Sequence, residues 1–306
     1  MNRNSKILII GHNSLVGGAL AARLKADGYK KILKIPTGDL MRQGAVERFF
    51  KDRRPEYVFF VDVRSGGIIA NSTHPAEFIY DNLEAQINVI HAAFKAKVKK
   101  LLFVASSCSY PKMCRQPMKE EYLLGGLLEP TSEAYSVAKI AGIKMCQAYN
   151  KQYGTKFISV IPATPYGRHD DFDAKDSHVI PALIRKFNRA KVKGDPSVSI
   201  WGTGRPLREF IHADDLADAL IFLMRVRRLP ELINIGTGKE ISIRDLAVYM
   251  KEITGFRGRL KFDISKPDGA YRKSLDTDRL KTLGWKARIG LRDGLRNICR
   301  DLSTSR

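Results

Sequence analysis

Lys6-Ile-Leu-Ile-Ile-Gly-His-Asn-Ser-Leu-Val-Gly-Gly18 joins a short apolar run, a glycine-containing turn and the start of an amphipathic pattern. The apolar run from Lys6 to Ile10 predicts a buried strand, and the pattern after the turn predicts a helix through about Leu24. A strand, a glycine turn and a helix in this order are typical of dinucleotide binding, because glycines let the backbone approach a pyrophosphate at the helix N-terminus.

Two positions near this turn bear on which dinucleotide would fit. Ser14 stands where the middle glycine of the motif is expected, and we expect its side chain to crowd the phosphates. After the second predicted strand, residues 31–35, no acidic residue stands where one would bind a ribose hydroxyl, and Lys34 lies close. The sequence therefore favours NADP(H) over NAD(H), although Lys34 is equally consistent with a plain surface lysine.

The alternation of apolar runs and helical patterns continues along the chain and predicts an α/β fold with a doubly wound parallel sheet of the Rossmann type. The predicted nucleotide-binding domain covers residues 1–167, with returning strands near 208–240, and a smaller substrate lobe covers 168–306. Further predicted elements are strands at 57–61, 101–105, 157–161, 201–212 and 233–238, helices at 75–97 and 179–187, and a polar loop at 169–177.

Composition limits the class of protein. The chain has 306 residues, 44% of them hydrophobic and 9% aromatic, which is enough for a large core. No apolar run approaches the roughly 20 residues of a membrane helix, and the N-terminus leads into a strand instead of a signal peptide. Four cysteines without metal-ligand spacing are typical of a reducing compartment. We therefore expect a cytoplasmic protein with no metal site and no membrane contact.

The charge is strongly positive. Lys and Arg number 53 against 32 Asp and Glu, a formal net charge of +21, which suits an anionic partner. The basic residues are spread over the whole sequence, and no aromatic-basic recognition motif is present, so nucleic acid is a poor candidate. Phosphorylated small molecules explain the charge as well.

Ser106-Ser-Cys108 follows a buried strand, and Tyr135 and Lys139 lie four residues apart, on one face of a predicted helix. A lysine ammonium near a phenol lowers the phenol pKa, and such a tyrosine can give a proton to an oxygen that is becoming an alkoxide. Ser106 can hydrogen-bond the same oxygen. The Tyr-x-x-x-Lys spacing alone is common, and a solvated helix face is its ordinary explanation.

Several longer strings are more specific, and through them the chain resembles the GDP-L-fucose synthase family of the extended short-chain dehydrogenase/reductases over nearly its whole length. They are Gly66-Gly-Ile-Ile-Ala-Asn71, Ser106-Ser-Cys108, Tyr110-Pro-Lys, Glu129-Pro-Thr131, Ala138-Lys-Ile-Ala-Gly142, Ser177-His-Val-Ile-Pro-Ala-Leu183, Arg208-Glu-Phe and Lys266-Pro-Asp-Gly269.

The resemblance implies that GDP-4-keto-6-deoxy-D-mannose is epimerised at both carbons beside its ketone and is then reduced by NADPH. In that scheme Cys108 and His178 are the acid and base of epimerisation, and Ser106 and Tyr135 hold the keto oxygen. Lys139 would tune Tyr135 and hold the nicotinamide ribose. The resemblance also implies a homodimer through helices around 82–95 and 133–149.

The same family positions imply the binding residues. Those for NADP(H) are Gly11, His12, Asn13, Ser14, Leu15, Val16, Gly17, Val104, Ala105, Ser106, Ser107, Lys139, Pro162, Ala163, Thr164, Pro165 and His178. Those for the GDP-sugar are Lys186, Trp201, Arg208 and Asp268.

Four of these residues have a plain structural alternative. Cys108 could be a buried small apolar residue, and His178 could be a neighbour of a helix N-cap. Trp201 could be core, and Arg208 could pair with Asp214 or Asp215 in an ordinary salt bridge.

The departures from the family lie at the cofactor end. Besides Ser14, Asn13 stands where the family usually has an arginine, Asp62 and Arg64 lie in a stretch where the family has small residues near the cofactor, and Thr164-Pro165 replaces the family's Asn-Leu. Asp62 near a pyrophosphate would be repulsive. Three hypotheses remain at this point: a GDP-L-fucose synthase, a relative that acts on another 4-keto GDP-sugar or epimerises without efficient reduction, and a non-catalytic nucleotide- or polyanion-binding paralogue.

Overall fold

The structure is a computed structural model that describes residues 1–170, 172, 178–266 and 268–304. Most of the predicted loop 169–177, including Ser177, and Pro267 of the Lys266–Gly269 string lie outside the described residues.

The described residues form alternating strands and helices. The strands are β1 (Lys6–Ile10), β2 (Lys31–Lys34), β3 (Tyr57–Phe60), β4 (Lys100–Val104), β5 (Phe157–Pro162), β6 (Thr164–Tyr166), β7 (Ser197–Trp201), β8 (Leu207–His212), β9 (Leu232–Ile235), β10 (Glu240–Ser242), β11 (Arg259–Asp263) and β12 (Arg272–Lys273). The helices are α1 (Leu15–Ala26), α2 (Thr37–Leu40), α3 (Gln43–Arg53), α4 (Ile68–Thr73), α5 (Pro75–Lys95), α6 (Glu133–Tyr153), α7 (Val179–Lys193), α8 (Ala213–Arg225), α9 (Ile243–Thr254), α10 (Asp278–Thr282) and α11 (Leu291–Thr304).

Six parallel strands form the central sheet in the order β2-β1-β3-β4-β5-β9. This arrangement confirms the predicted doubly wound α/β class. From β1 the chain runs to one side for β2 and to the other side for β3, so a crevice opens where the carboxyl ends of β1 and β3 part. That crevice receives the glycine turn after β1 and the residues that follow β3 and β4.

The central strands are buried on both faces, which explains why their sequences are continuous apolar runs without polar alternation. All of β4 and all of β5 are buried, and Ile7 to Ile10 of β1 have no exposed surface. Helices α5 and α6 pack closely together on one face, and α1 packs with α8. The core therefore holds the strand ends, and the site with them, in a rigid frame.

A second hydrophobic cluster lies beyond the sheet and joins helices α7, α9 and α11. Phe187 of α7, Met250 of α9 and Leu295 of α11 are buried in it. The same part of the fold has a sheet in which β8 pairs with β6, β10 and β12, and a separate β7-β11 pair. The clusters do not follow the predicted two-lobe division at residues 167 and 168 throughout, because Leu275 and Trp285 pack in the core around the central sheet, and the division stays a prediction. None of the described helices is long and apolar enough to cross a membrane.

Element boundaries differ from the sequence predictions by one or two residues at most strand ends, which is the ordinary scatter at fraying termini. The strand predicted at 201–212 is wrong in its first part, because β7 ends at Trp201 and β8 begins only at Leu207. Helix α7 continues six residues past the predicted end at Phe187 and stops where Gly194 takes a positive φ of 66°. Helix α4 and strands β6, β10, β11 and β12 were not predicted, because each is short and has little periodicity of its own.

Gly142 of α6 offers a test of the packing between α5 and α6. A Cβ at this position would overlap the Gln86 side chain and lie 2.5 Å from the Phe103 ring. We expect Gly142→Ala to lower the free energy of unfolding by about 1–3 kcal/mol, the usual cost of overpacking. Urea denaturation measures the change.

Gly44 of α3 is the matched control, because nothing lies within 4 Å of the Cβ it would gain. Gly44→Ala should raise the free energy of unfolding by about 0.5 kcal/mol through helix propensity. Equal effects from both substitutions would contradict close packing of α5 on α6.

Candidate functional site

The turn after β1 is shaped by two glycines that leave no room for a side chain. Gly11 has a positive φ of 77°, and a Cβ there would lie 2.5 Å from the backbone oxygen of Asp62. A Cβ at Gly17 would overlap the backbone oxygen of Gly11. The two glycines therefore let the turn fold tightly against its own backbone and the end of β3, and this places the N-terminus of α1 directly after β1.

Ser14 closes this turn. Its hydroxyl donates to the backbone oxygen of Gly11 at 2.7 Å and accepts from the backbone N–H of Gly17 at 3.2 Å, so Ser14 is the N-cap of α1. Its φ of −73° and ψ of 166° suit any L residue. The middle position of the motif thus needs no glycine conformation in this chain, although the expected crowding of phosphates by Ser14 stays a prediction.

The other predicted cofactor residues lie at the same edge of the sheet. They lie at or after the carboxyl ends of three parallel strands: His12, Asn13, Leu15 and Val16 after β1; Val104, Ala105, Ser106 and Ser107 at the end of β4; and Pro162, Ala163, Thr164 and Pro165 from the last residue of β5 into β6. Burial and, to a smaller extent, the charge of Lys34 lower the pKa of His12. Lys34 is therefore close to the turn, as the sequence predicted.

Ser106 and Cys108 lie where β4 ends. Ser106 precedes a single 3₁₀ turn, and its hydroxyl accepts the backbone N–H of Cys108 at 3.2 Å. Both residues are only partly buried, so the plain alternative of a core cysteine does not apply to Cys108. The Cys108 sulfur also contacts two residues that the sequence analysis did not single out, Lys273 and Ser132.

Lys139 is almost completely buried, with 1% of its surface exposed. Its ammonium donates to the backbone oxygen of Val104 at 3.3 Å and lies 5.3 Å from the Phe103 ring centre and 5.6 Å from that of Tyr135. Burial lowers the pKa of Lys139, and the nearby Asp62 carboxylate opposes that effect. The solvated helix face proposed as an alternative is therefore wrong for Lys139.

Tyr135 differs from the expectation. Burial, followed by the charges of Asp62 and Cys108, raises the pKa of Tyr135 well above its ordinary value, and a hydrogen bond with Ser106 acts only weakly in the other direction. The predicted lowering of this pKa by Lys139 is wrong for this structure, because burial and the nearby negative charges determine the direction of the shift. A phenol that stays protonated remains able to donate a proton.

His178 occupies the N-cap position of α7, as the plain alternative supposed, but its ring makes no capping hydrogen bond. Burial lowers the pKa of His178, and the charge of Asp62 raises it to a smaller extent. The ring is therefore mostly neutral at neutral pH and lies within the electrostatic reach of the carboxylate that also acts on Tyr135 and Lys139.

Asp62 has a different surrounding from the one the sequence suggested. Its carboxylate accepts the backbone N–H of Val63 at 2.9 Å and the Ser65 hydroxyl at 2.7 Å. Its charge acts on three predicted catalytic residues, Tyr135, Lys139 and His178. Asp62 reaches these residues because it follows β3, which lies between β1 and β4 in the sheet. Local sequence does not reveal that strand order.

One predicted substrate residue, Trp201, presents an open aromatic ring, and another, Lys186, lies beside it. Trp201 is 47% exposed, so it is not core. The Lys186 ammonium lies 5.3 Å and the Lys266 ammonium 5.8 Å from the Trp201 ring, and Lys186 donates to the backbone oxygen of Ser199 at 2.9 Å. An exposed indole with two ammonium groups beside it can pack on a base or sugar and attract phosphate.

Arg208 belongs to the Cys108 side of the crevice. Burial lowers the pKa of Arg208, while the charges of Cys108 and Asp268 oppose that effect. The proposed salt bridge to Asp214 or Asp215 is not among the ion pairs of the described residues, and Asp215 instead accepts the backbone N–H groups of Arg288 and Ile289.

Asp268 has a structural task of its own. Its carboxylate accepts the backbone N–H of Thr203 at 2.7 Å and the Thr203 hydroxyl at 2.8 Å. These bonds hold the loop that follows Trp201. A substrate hydroxyl that donates to Asp268 would therefore bind a carboxylate whose orientation Thr203 fixes.

The N-cap role of Ser14 can be tested by substitution. We expect Ser14→Ala to lower the free energy of unfolding by about 1 kcal/mol, because the Gly17 N–H loses its acceptor. Ser14→Gly should cost only a few tenths of a kcal/mol, since glycine is tolerated at N-caps. Urea denaturation of both variants measures the difference, and equal losses would rule out the cap.

Comparison with known proteins agrees with this geometry. The NAD dependent epimerase/dehydratase family matches residues 7–236. GDP-L-fucose synthase 1 of Arabidopsis thaliana is 49% identical over 308 residues, which cover 97% of this chain and 95% of that protein.

Two solved structures superpose over nearly the full length. A GDP-6-OMe-4-keto-L-xylo-heptose reductase from C. jejuni has a TM-score of 0.94 and 40% identity, covering 100% of this chain and 99% of its own. A GDP-L-fucose synthetase from Naegleria fowleri bound to NADP has a TM-score of 0.91 and 26% identity, covering 100% and 96%. The chain therefore belongs to the NAD dependent epimerase/dehydratase family, in its GDP-L-fucose synthase group.

Proposed function

We propose that this chain converts GDP-4-keto-6-deoxy-D-mannose to GDP-L-fucose by epimerisation followed by NADPH-dependent reduction. The observation that carries the proposal is the meeting of Ser106, Cys108, Tyr135, Lys139 and His178 at one crevice. Electrostatic interactions and hydrogen bonds link them. The pKa of Tyr135 is shifted by the charge of Cys108 and by a hydrogen bond with Ser106, and the charge of Asp62 shifts the pKa values of both Lys139 and His178. A pure scaffold has no physical need for that set.

Epimerisation requires a base and an acid beside the ring carbons next to the ketone. A carbonyl acidifies those C–H bonds, and removal of a proton leaves an enolate. Cys108 at the end of β4 and His178 at the start of α7 come from different elements and supply the two proton-transfer groups. Ser106 and Tyr135 hydrogen-bond the enolate oxygen.

Reduction uses the same oxygen. The nicotinamide cofactor supplies hydride when it is bound. Tyr135, which burial keeps protonated, gives its proton to the oxygen as it becomes an alkoxide, and Ser106 keeps that oxygen in place. Lys139 lies one helical turn further along α6, with its ammonium 5.6 Å from the Tyr135 ring, and its bond to the Val104 backbone oxygen holds this part of α6 on β4.

The residues present fit NADP(H). Gly11 and Gly17 let the turn after β1 fold tightly, and the N-terminus of α1 that follows it favours the charge of a pyrophosphate. Lys34, close to His12, is a cation near the end of β2, where a 2′-phosphate would be received. The NADP-bound state of the Naegleria fowleri relative supports this choice.

The nucleotide end of the substrate would bind on the second lobe. Lys186 and Arg208 supply charged donors for the diphosphate, and Trp201 offers an exposed ring face. Asp268 would accept hydroxyl hydrogen bonds. The positive charge of the chain attracts such a dianionic substrate.

A second candidate substrate is another 4-keto GDP-sugar. The high similarity to a GDP-heptose reductase supports it, because the reducing residues serve any ketone of this shape. The assay below separates the two by identifying the product.

The division of labour between reduction and epimerisation gives the decisive experiment. With NADPH and GDP-4-keto-6-deoxy-D-mannose, we expect NADPH oxidation and formation of GDP-L-fucose. Tyr135→Phe should slow oxidation at least about 10²-fold, because the alkoxide loses its proton donor. Cys108→Ser should mainly slow the entry of solvent deuterium into the substrate ring, since a hydroxyl is a far weaker base than a thiolate.

Tyr153→Phe is the control, because Tyr153 lies on the same helix, is half exposed and is remote from the proposed chemistry. It should leave both activities unchanged. Equal loss of oxidation and exchange in Tyr135→Phe and Cys108→Ser would contradict separate roles. Deuterium exchange without oxidation by the wild type would instead identify an epimerase, and neither signal would favour a binding protein.

We also propose a homodimer through α5 and α6. Tyr80 and Ile87, seven residues apart and so on one face of α5, are 62% and 54% exposed, and Val137 of α6 is 40% exposed. Large apolar side chains exposed together on neighbouring helices are typical of an interface.

Ile87→Arg tests this surface. A charge at the centre of the contact should convert the dimer to a monomer at micromolar concentration, which light scattering measures. Val248→Arg is the control, because Val248 is an exposed apolar residue on α9 of the other lobe. A monomeric wild type, or a dimer lost equally in both variants, would remove the proposal.

A further inference from the structure

Lys273 lies against the sulfur of Cys108. Its ammonium donates to the Cys108 Sγ across 3.4 Å, although 165 residues separate the two in the chain. Lys273 is the second residue of β12, which pairs in parallel with β8 so that Lys273 stands opposite Arg208. The contact is therefore made from the side of the second lobe.

The backbone holds Lys273 firmly in this place. The preceding residue, Arg272, forms a two-bond ion pair with Glu240, at 2.7 Å for each bond. Because side chains alternate along a strand, that pair turns Lys273 to the opposite face. The following residue, Ser274, has its N–H bound by the Gln116 side chain at 2.9 Å, and Leu275 donates to Glu209 at 2.8 Å.

The groups around the Cys108 sulfur favour a negative charge. Lys273 of β12 and Arg208 of β8 bring two cations, and Ser106 and Ser132 bring hydroxyls. The other ionisable groups nearby are Tyr135, whose pKa is raised by the charge of Cys108, and Asp268, whose charge acts on Arg208. The charge of Asp62 acts on Tyr135, Lys139 and His178. Burial by itself would raise the pKa of the Cys108 thiol, but Lys273 and the hydrogen bonds outweigh burial and lower it.

We propose that Lys273 is a positioning residue whose ammonium holds Cys108 as a thiolate, the form that takes the ring proton during epimerisation. The sulfur gains the proton, the C–H bond breaks, and its electron pair becomes the enolate whose oxygen Ser106 and Tyr135 hold. The identity of the proton's source rests on the function proposed above. The thiolate itself does not, because it is a property of the protein without substrate.

The test measures the thiolate directly. The full-length protein, with and without NADPH, is titrated by the ultraviolet absorbance of the thiolate and by the pH dependence of its alkylation by iodoacetamide. Cys108→Ser, subtracted from each profile, removes the signals of the three other cysteines, Cys114, Cys146 and Cys299. The variants are Lys273→Met, Lys273→Arg and, as the charge control, Lys281→Met, which removes an exposed lysine paired with Asp278 on α10.

We expect Lys273→Met to move the Cys108 midpoint upward by about one pH unit or more, the usual effect of losing an adjacent opposite charge. That shift corresponds to about a tenfold smaller thiolate fraction below the midpoint. Lys273→Arg should keep most of the wild-type profile, and Lys281→Met all of it. An unchanged midpoint in Lys273→Met would overturn the proposal.

Activity separates this role from substrate binding. If Lys273 stabilises the Cys108 thiolate, deuterium exchange by Lys273→Met should be slower at neutral pH and recover as the pH rises, because the Cys108 thiol then ionises without the Lys273 charge. A higher KM together with an unchanged thiolate profile would mean that Lys273 only binds the diphosphate, which overturns the proposal. A shifted profile in a protein whose wild type exchanges no substrate proton would overturn the proposed function and leave the thiolate assignment supported.

Discussion

The hydrogen bond from the Lys139 ammonium to the backbone oxygen of Val104 joins the longest helix of the site to the central strand. Burying an ammonium is costly unless it has polar partners. Here the strand carbonyl, the ring faces of Phe103 and Tyr135 and the charge of Asp62 provide them. Because α6 is held at this point, Tyr135 reaches the same oxygen site as Ser106, and the crevice has a defined shape before any ligand arrives.

Burial shifts the pKa values of the residues in this crevice more than any single charged neighbour does. Burial raises the pKa of Tyr135 and lowers those of His178 and Lys139, so it shifts each group toward its neutral form. Cys108 is the exception, because a cation and hydrogen bonds outweigh burial there. The result is a protonated phenol beside a thiol that ionises readily, which suits one group to giving a proton and the other to taking one.

Much of this site was accessible from local sequence. Apolar runs marked the strands of the central sheet, and the residues that follow β1, β4 and β5 were predicted to share one edge, which is where they lie. The pairing of Tyr135 with Lys139 followed from helical spacing. The direction of the Tyr135 pKa did not, because desolvation depends on neighbours such as Asp62 that come from another strand. Lys273 gave no signal among 53 Lys and Arg residues.

The sequence by itself determined the fold class and the glycine turn, because periodicity and motif spacing act over a few residues to a turn of helix. That Ser106, Cys108, Tyr135, Lys139 and His178 belong to one site was implied by the resemblance to a family, and it stays a prediction. Only the tertiary structure decided that Asp62 faces three of these residues, that Asp268 first holds the Thr203 loop, and that Lys273 touches Cys108. Those contacts join segments far apart in the chain, and strand order and lobe packing, which local patterns do not encode, bring them together.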